Sequence, residues 1–286
     1  MKPLMSLIFL VLILPQISLF SMAGKVEKIP SKPPARLTIQ NGEFLRYGRY
    51  KGGEKYGEMI FVTILTNRKD IGSCAVIYNE TILLKGKRKL PTRYTDYGGY
   101  AVVTIVDGSL NELLYSIPDN TNSKTAQSEN AVYYRNYKIS RDEGTMEMED
   151  RVWDGYEAKT KKSRAVLKPG YPVWDLFYGM IFGGRFLDLA KSGVTQIAIP
   201  EVCKELVPMF YKAVKPETVV TPAGTFKTIH CSTMVADPFL GQLLDSFMRE
   251  AYVLIEDSDR HLAVRMHSAV GEDIELEEIS NVLAGR

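Results

Sequence analysis

The stretch from Glu217 to His267 limits most strongly what this chain can become. It reads Glu-Thr-Val-Val-Thr-Pro-Ala-Gly-Thr-Phe-Lys-Thr-Ile-His-Cys, then a short amphipathic segment, then Tyr252 to His267. Val219–Val220 and Phe226–Met234 are β-type runs. Between them Pro222 presets φ for the second position of a turn, and Gly224 supplies the positive φ of a closing bulge. Tyr252–Glu256 and His261–Ser268 flank Asp257-Ser258-Asp259-Arg260 in the same way. Two hairpins of antiparallel sheet are the direct reading.

The N-terminus reads as an export signal. Lys2 precedes an uncharged, mostly apolar run from Leu4 to Phe20, and Ser21 and Ala23 put small residues at a cleavage site after Ala23. The run is short for the roughly 20 residues of a membrane-crossing helix, and Pro15 interrupts it. The expected organisation is therefore a signal peptide over 1–23, a loose Lys/Pro-rich leader over 24–35, and β-rich structure over 36–286. That last part is either one domain or two β lobes meeting near 165–172. The expected compartment is the periplasm.

With 36 basic and 34 acidic residues in 286, the near-neutral balance argues against nucleic acid as a partner. The three cysteines, Cys74, Cys203 and Cys231, cannot make a complete disulfide framework, and one bridge with one free thiol stays open. Cys231, in a strand pattern, reads as a small buried apolar residue. No Cys/His spacing suits a metal, so no metal or other cofactor is expected.

Along the chain, Arg36–Gln40 is a strand candidate ended by Asn41-Gly42. Phe44–Tyr50 and Tyr56–Leu65 form a hairpin around Gly52-Gly53. Both faces of Tyr56–Leu65 are apolar, which predicts cover on both sides. Cys74–Tyr78 and Thr81–Leu84 read as two short strands. Lys85–Lys89, with Arg93, and Thr160–Arg164 read as solvated basic turns. Gly99–Val106 and Leu110–Ile117 pair around Asp107-Gly108-Ser109, and Pro118–Asn130 reads as a polar surface loop. Val132–Ile139, Thr145–Glu149, Val194–Ile199 and Asp273–Ile279 are further strands, the last with its acids facing water. Val202–Val214 is ambiguous around Pro208, with Phe210 and Tyr211 favouring a strand.

Two short helices are expected. One spans Tyr171–Leu189, apolar nearly all round and interrupted at Gly183-Gly184; the other spans Pro238–Arg249, with Asp237 as its cap. The fold class is mainly β: an antiparallel curved sheet, or a part-closed barrel or sandwich, with these helices packed against it. Trp174, Phe177, Met180, Ile181 and Phe186 are the candidate ligand-binding residues, as the wall of an apolar cavity beside the first helix.

The Thr221-Pro222-Ala223-Gly224-Thr225-Phe226 turn resembles a signature of a family of exported bacterial proteins of unknown function. Gly42-Glu43-Phe44-Leu45-Arg46-Tyr47 is a second matching piece, and Trp174–Gly193 and Asp257–Arg265 fit more loosely. The resemblance covers roughly 42–279. It implies an antiparallel β-rich envelope protein, analogous to the curved sheets of periplasmic lipoprotein carriers, and supplies no catalytic residues.

No hydrolase, protease, nucleotide-binding or dinucleotide motif appears, so no residue is assigned a catalytic role. His261 and His267, six apart on an expected strand, would sit roughly 20 Å apart at about 3.3 Å per residue, too far for one metal. His230 and Cys231 are strand neighbours and point to opposite faces, which rules out a Cys–His nucleophile pair. Asp257, Asp259, Glu272 and Asp273 lie in turns without a calcium-loop pattern. The expected function is a non-enzymatic envelope protein that holds or carries an apolar ligand such as a lipid. The alternatives are an assembly module that binds another envelope protein, and an unrecognised hydrolase.

Overall fold

A computed structural model describes residues 39–84, 93–106, 109–119, 131–140, 143–153, 158–167, 173–175, 181–186, 193–198, 206–235, 251–268 and 271–284. The export segment, the Lys85–Lys89 cluster, Cys203 and the Pro238–Arg249 helix lie outside them.

The first half of the chain supplies eight strands: β1 (Glu43–Lys51), β2 (Glu54–Arg68), β3 (Gly72–Leu84), β4 (Arg93–Val106), β5 (Ser109–Asp119), β6 (Ala131–Ser140), β7 (Thr145–Trp153) and β8 (Ala158–Val166). The second half supplies β9 (Val173–Asp175), β10 (Gly193–Ala198), β11 (Leu206–Thr221), β12 (Gly224–Val235), β13 (Tyr252–Glu256), β14 (Ala263–His267) and β15 (Glu272–Asn281). The described residues form one 15-stranded sheet in the order β8-β7-β6-β5-β4-β3-β2-β1-β15-β14-β13-β12-β11-β10-β9. Neighbours are antiparallel except β9 and β10, which are parallel. β1 and β15 therefore pair in the middle of the sheet, Leu45 opposite Ile279 and Tyr47 opposite Leu276. β8 and β9, consecutive in the chain, sit at opposite edges. The sheet is curved and not closed, and β5 approaches both β9 and the Gly183–Phe186 turn across its concave side.

Local chemistry explains the tight corners. Lys51 pairs with Glu54 across Gly52-Gly53, both at positive φ (59° and 80°), the geometry of a two-residue hairpin turn. Thr221 pairs with Gly224 across Pro222-Ala223, and the Thr221 hydroxyl accepts from the Ala223 amide at 3.2 Å. Gly224 has the expected positive φ (138°), but the pairing runs on without a shift, so the turn closes without the expected bulge.

Alternation builds the core. On β1, Leu45 and Tyr47 are buried while Phe44 and Arg46 are only half-buried; on β2, Met59, Phe61 and Thr63 are buried. One large cluster joins these to Ala75, Ile77, Val103, Val253, Ile255 and Leu276 on the concave face. Ile181 and Phe182 descend into it, and Phe182 meets the edge of Phe61 at 5.5 Å.

Several expectations are corrected. Ile39-Gln40 is not strand. Ile60, Val62 and Ile64 are half-buried, so β2 is fully covered on one face only. Cys74–Leu84 is one continuous strand, paired with β2 along its whole length, so the polar Asn79-Glu80 pair does not interrupt it. Thr160–Arg164 is not a turn but part of edge strand β8, with Lys161 and Lys162 exposed. In the expected Tyr171–Leu189 helix, Val173–Asp175 is a strand, hydrogen-bonded to β10, and Ile181–Phe182 passes into a 3-10 turn over Gly183–Phe186. The β-branched Val173 with Trp174 favours extended backbone, and the glycine pair breaks the helix. The described residues of Tyr171–Leu189 are thus a strand and a short helical turn in place of one continuous helix.

Candidate functional site

Among the described residues, Glu43 and Arg185 form a charged pair buried in the interior. Strand alternation turns Glu43 to the same face as Leu45 and Tyr47, and Glu43 is 4% exposed. Arg185, on the 3-10 turn, is 0% exposed and donates from Nη2 to Glu43 Oε2 at 2.7 Å. Its guanidinium also sits 5.1 Å from the Phe182 ring centre. Gly184 eases this approach: a Cβ there would stand 2.8 Å from Ile255 Cδ1, so a larger residue would force the Ile255 side chain to shift.

The pair is only partly satisfied. A guanidinium carries five N–H donors. Arg185 Nε and Nη1 are buried and have no partner among the described residues, and nor has the Thr63 hydroxyl. Thr63 stands directly across from Glu43 in the β1–β2 ladder. Arg185 Nε and Nη1 and the Thr63 hydroxyl are thus buried polar groups left without partners among the described residues.

The neighbouring wall is the Asp257–Leu262 turn between β13 and β14. His261 is there the described non-glycine residue at positive φ (46°), and its Nδ1 is buried without a partner among the described residues. Burial pushes its pKa down, the carboxylates of Asp257, Asp259 and Glu256 pull against that, and the charge of Arg185 adds to the downward push. Tyr47 lies in the same interior. Its hydroxyl donates to the Ala263 carbonyl at 2.9 Å, and burial raises its pKa far above the ordinary tyrosine value.

On the outer face a second constellation crosses five strands, β11 to β15. His230 Nδ1 lies 3.3 Å from Glu217, the His230 ring packs 4.6 Å from Tyr252, Tyr252 stacks on His267 at 5.5 Å, and His267 Nδ1 lies 2.7 Å from Asp273. Tyr252 separates the two imidazoles, so they cannot share a metal. Among the described residues no group of three or more metal-ligating side chains occurs. A groove of about 410 Å³ on β6–β8 is lined by Lys138, Glu147, Met148, Glu149, Lys162, Ser163 and Arg164. Two of its charged pairs are local: Arg164 bonds to Glu143, and Lys162 lies 3.4 Å from Glu149.

Of the sequence candidates, Ile181 lies in the core, 1% exposed, packed among the chain's own side chains. Trp174 is in β9 and Phe186 ends the 3-10 turn, while Phe177 and Met180 lie outside the described residues. His261 is in the turn and not on β14, so it does not share a strand face with His267. Cys231 is a buried free thiol with its pKa pushed up by burial to about 12, and His230 faces the other way, as expected from their adjacency. Cys74 is also free. The acids of β15 do not all face water: the Glu277 side chain is 8% exposed and tied to Tyr50 and Lys55. Sequence reasoning missed Glu43 and Arg185, although an acid on the apolar stripe of a strand was the available signal.

No protein-family model and no curated protein matches the chain. Similar solved structures include a protein described as exported, with a YmcC-like fold, from Bacteroides fragilis, 14% identical, covering 86% of this chain and 99% of that one at a TM-score of 0.36. Another is described as a lipoprotein from Parabacteroides distasonis, 11% identical over 85% and 97%, TM-score 0.31. A third is a β-barrel-like protein of the domain of unknown function DUF1849 from Brucella abortus, 10% identical over 87% and 100%, TM-score 0.39.

Proposed function

We propose that this is an exported, non-enzymatic envelope protein that holds an amphiphile on the concave side of its sheet, with the polar end on Arg185. The supporting observation is the fully buried guanidinium, which spends one donor on Glu43 and keeps Nε and Nη1 unused. Burying such a group is costly unless its hydrogen bonds are made. Acceptor oxygens of a carboxylate or ester would make them, and an acyl chain would run along the apolar surface. Of the ligand-binding candidates, Ile181 is the one whose side chain is described, and it lies in the core cluster with Phe182.

The test is native mass spectrometry and lipid extraction of protein from its own envelope, followed by titration with a fluorescent fatty acid. Retention of an amphiphile by the wild type and its loss in Arg185→Met support the reading. A wild type that carries no amphiphile and takes up no fatty acid ends it. A protein-docking role at the sheet edges has weaker support, because edge strand β8 presents exposed Lys161, Lys162 and Arg164, which discourage strand addition.

A further inference from the structure

We propose that the Asp257–Leu262 turn is an acid-opened latch beside Arg185: neutral His261 keeps its ring tucked against the interior, and protonated His261 moves out to the acidic rim of the same turn. What the latch would release rests on the ligand reading above; its motion does not.

Three features of the turn carry this. His261 holds a left-handed backbone (φ 46°), which an L residue with a bulky side chain adopts only where its surroundings impose it. Its Nδ1 is buried and makes no hydrogen bond to the described residues, so the ring gains little from its position beyond burial. The turn around it is held at five points: the Glu256 amide to the Leu262 carbonyl (2.8 Å), the Asp257 amide to the Lys227 carbonyl (2.9 Å), the His261 amide to the Ser258 carbonyl (3.2 Å), the Arg260 amide to the Ser258 hydroxyl (3.2 Å) and the Arg260 guanidinium to Glu256 (2.5 Å), none of which involves the His261 ring. Leu262, fully buried, pins the turn at its end, so motion is confined to the residues before it.

The charges set the direction. The charge of Arg185 disfavours a proton on the ring, and the carboxylates of Asp257 and Asp259 in the turn and of Glu256 at the end of β13 favour one. Glu256 is already bonded to Arg260, so Asp257, exposed, and Asp259, exposed, are the acids left to receive an imidazolium. A proton on His261 adds a cation beside a buried cation and removes the reason for the ring to stay inside. Burial lowers the affinity of the tucked ring for that proton, so the closed turn is fully favoured above the ordinary histidine value of 6.5 and gives way as pH falls below it.

The experiment is hydrogen exchange, read by mass spectrometry, on ligand-free protein between about pH 7.5 and about pH 5. After correction for intrinsic rates, the segment containing Asp257–Leu262 is expected to lose protection several-fold on acidification, while β1–β2 does not. His261→Asn, uncharged and tolerant of the left-handed backbone, is expected to abolish that pH dependence, and His261→Gly provides the same readout if the Asn variant does not fold. Asp257→Asn with Asp259→Asn is expected to move the opening to lower pH. Equal protection at both pH values in the wild type, or the same acid-induced loss in the His261 variants, overturns the latch. Release of a bound dansyl-labelled fatty acid on acidification, absent in His261→Asn, extends it to ligand exit; opening without any fatty-acid binding at either pH overturns the ligand reading alone.

Discussion

The Tyr47 hydroxyl donates to the backbone carbonyl of Ala263 at 2.9 Å, across 216 positions of sequence. Tyr47 is on β1 and Ala263 opens β14, with β15 between them in the sheet. The bond therefore spans a strand on the concave side and holds the curvature where the two ends of the chain meet. It also anchors β14 next to the His261 turn.

Tyr47→Phe keeps the ring, including its edge contact with Phe61 at 6.1 Å, and removes only the donor. The Ala263 carbonyl is left buried and unpaired, which costs about 1–3 kcal/mol. The urea midpoint is expected to fall with an unchanged denaturant slope. A variant as stable as the wild type would show that the carbonyl finds another partner.

Glu43 and Arg185 behave as a unit. Removing one member leaves an uncompensated buried charge, so Arg185→Met or Glu43→Leu alone is expected to cost about 3–5 kcal/mol. The double variant, with both charges gone, is expected to be much closer to wild type than the sum of the two. Equilibrium unfolding of the four proteins measures this directly, and additive losses would mean that the two side chains act independently.

The positions of the hairpin turns were legible because their signals are local. Gly52-Gly53, Asp107-Gly108 and Thr221–Gly224 each sit between β-type runs, and the observed strands end within a few residues of the expected places. The Cys231 and His230 faces followed from period two alone. What failed depended on partners far away in sequence. Asn79-Glu80 looks like a break, but β3 continues because β2 and β4 hold its ladder on both sides. Trp174 looks helical inside an apolar run, but β10 draws it into the sheet. The Glu43–Arg185 centre joins residues 142 apart. Nothing local to either residue reveals that a charge on β1 is answered by a turn 142 residues further on.

Gly184 is a packing requirement and not a flexible joint. Alanine there would bring its Cβ to 2.8 Å from Ile255 Cδ1. The expected cost of Gly184→Ala is about 1–3 kcal/mol of overpacking strain. Ile255→Val removes the obstructing methyl, so the double variant is expected to regain part of the loss. A thermal-melt comparison of the three variants with the wild type checks this; no rescue would place the strain elsewhere.

Glu277 makes acid stability testable. Burial by itself would raise its pKa, but hydrogen bonds from Lys55 (2.7 Å) and the Tyr50 hydroxyl (2.6 Å), with the charges of Lys55 and Arg46, outweigh burial and hold it below its ordinary value of 4.5. The folded protein thus holds this proton more weakly than the unfolded chain. The stability Glu277 contributes is fully present above 4.5 and disappears as pH falls through the lower folded value. Glu277→Gln keeps the shape and removes the titration. The stability gap between wild type and Glu277→Gln, measured by urea unfolding from about pH 7 to about pH 3, is expected to be widest near neutrality and to close on acidification. A gap that stays constant across that range would mean that the β1–β2–β15 network around Glu277 holds by shape and neutral hydrogen bonds, with no contribution from its charge.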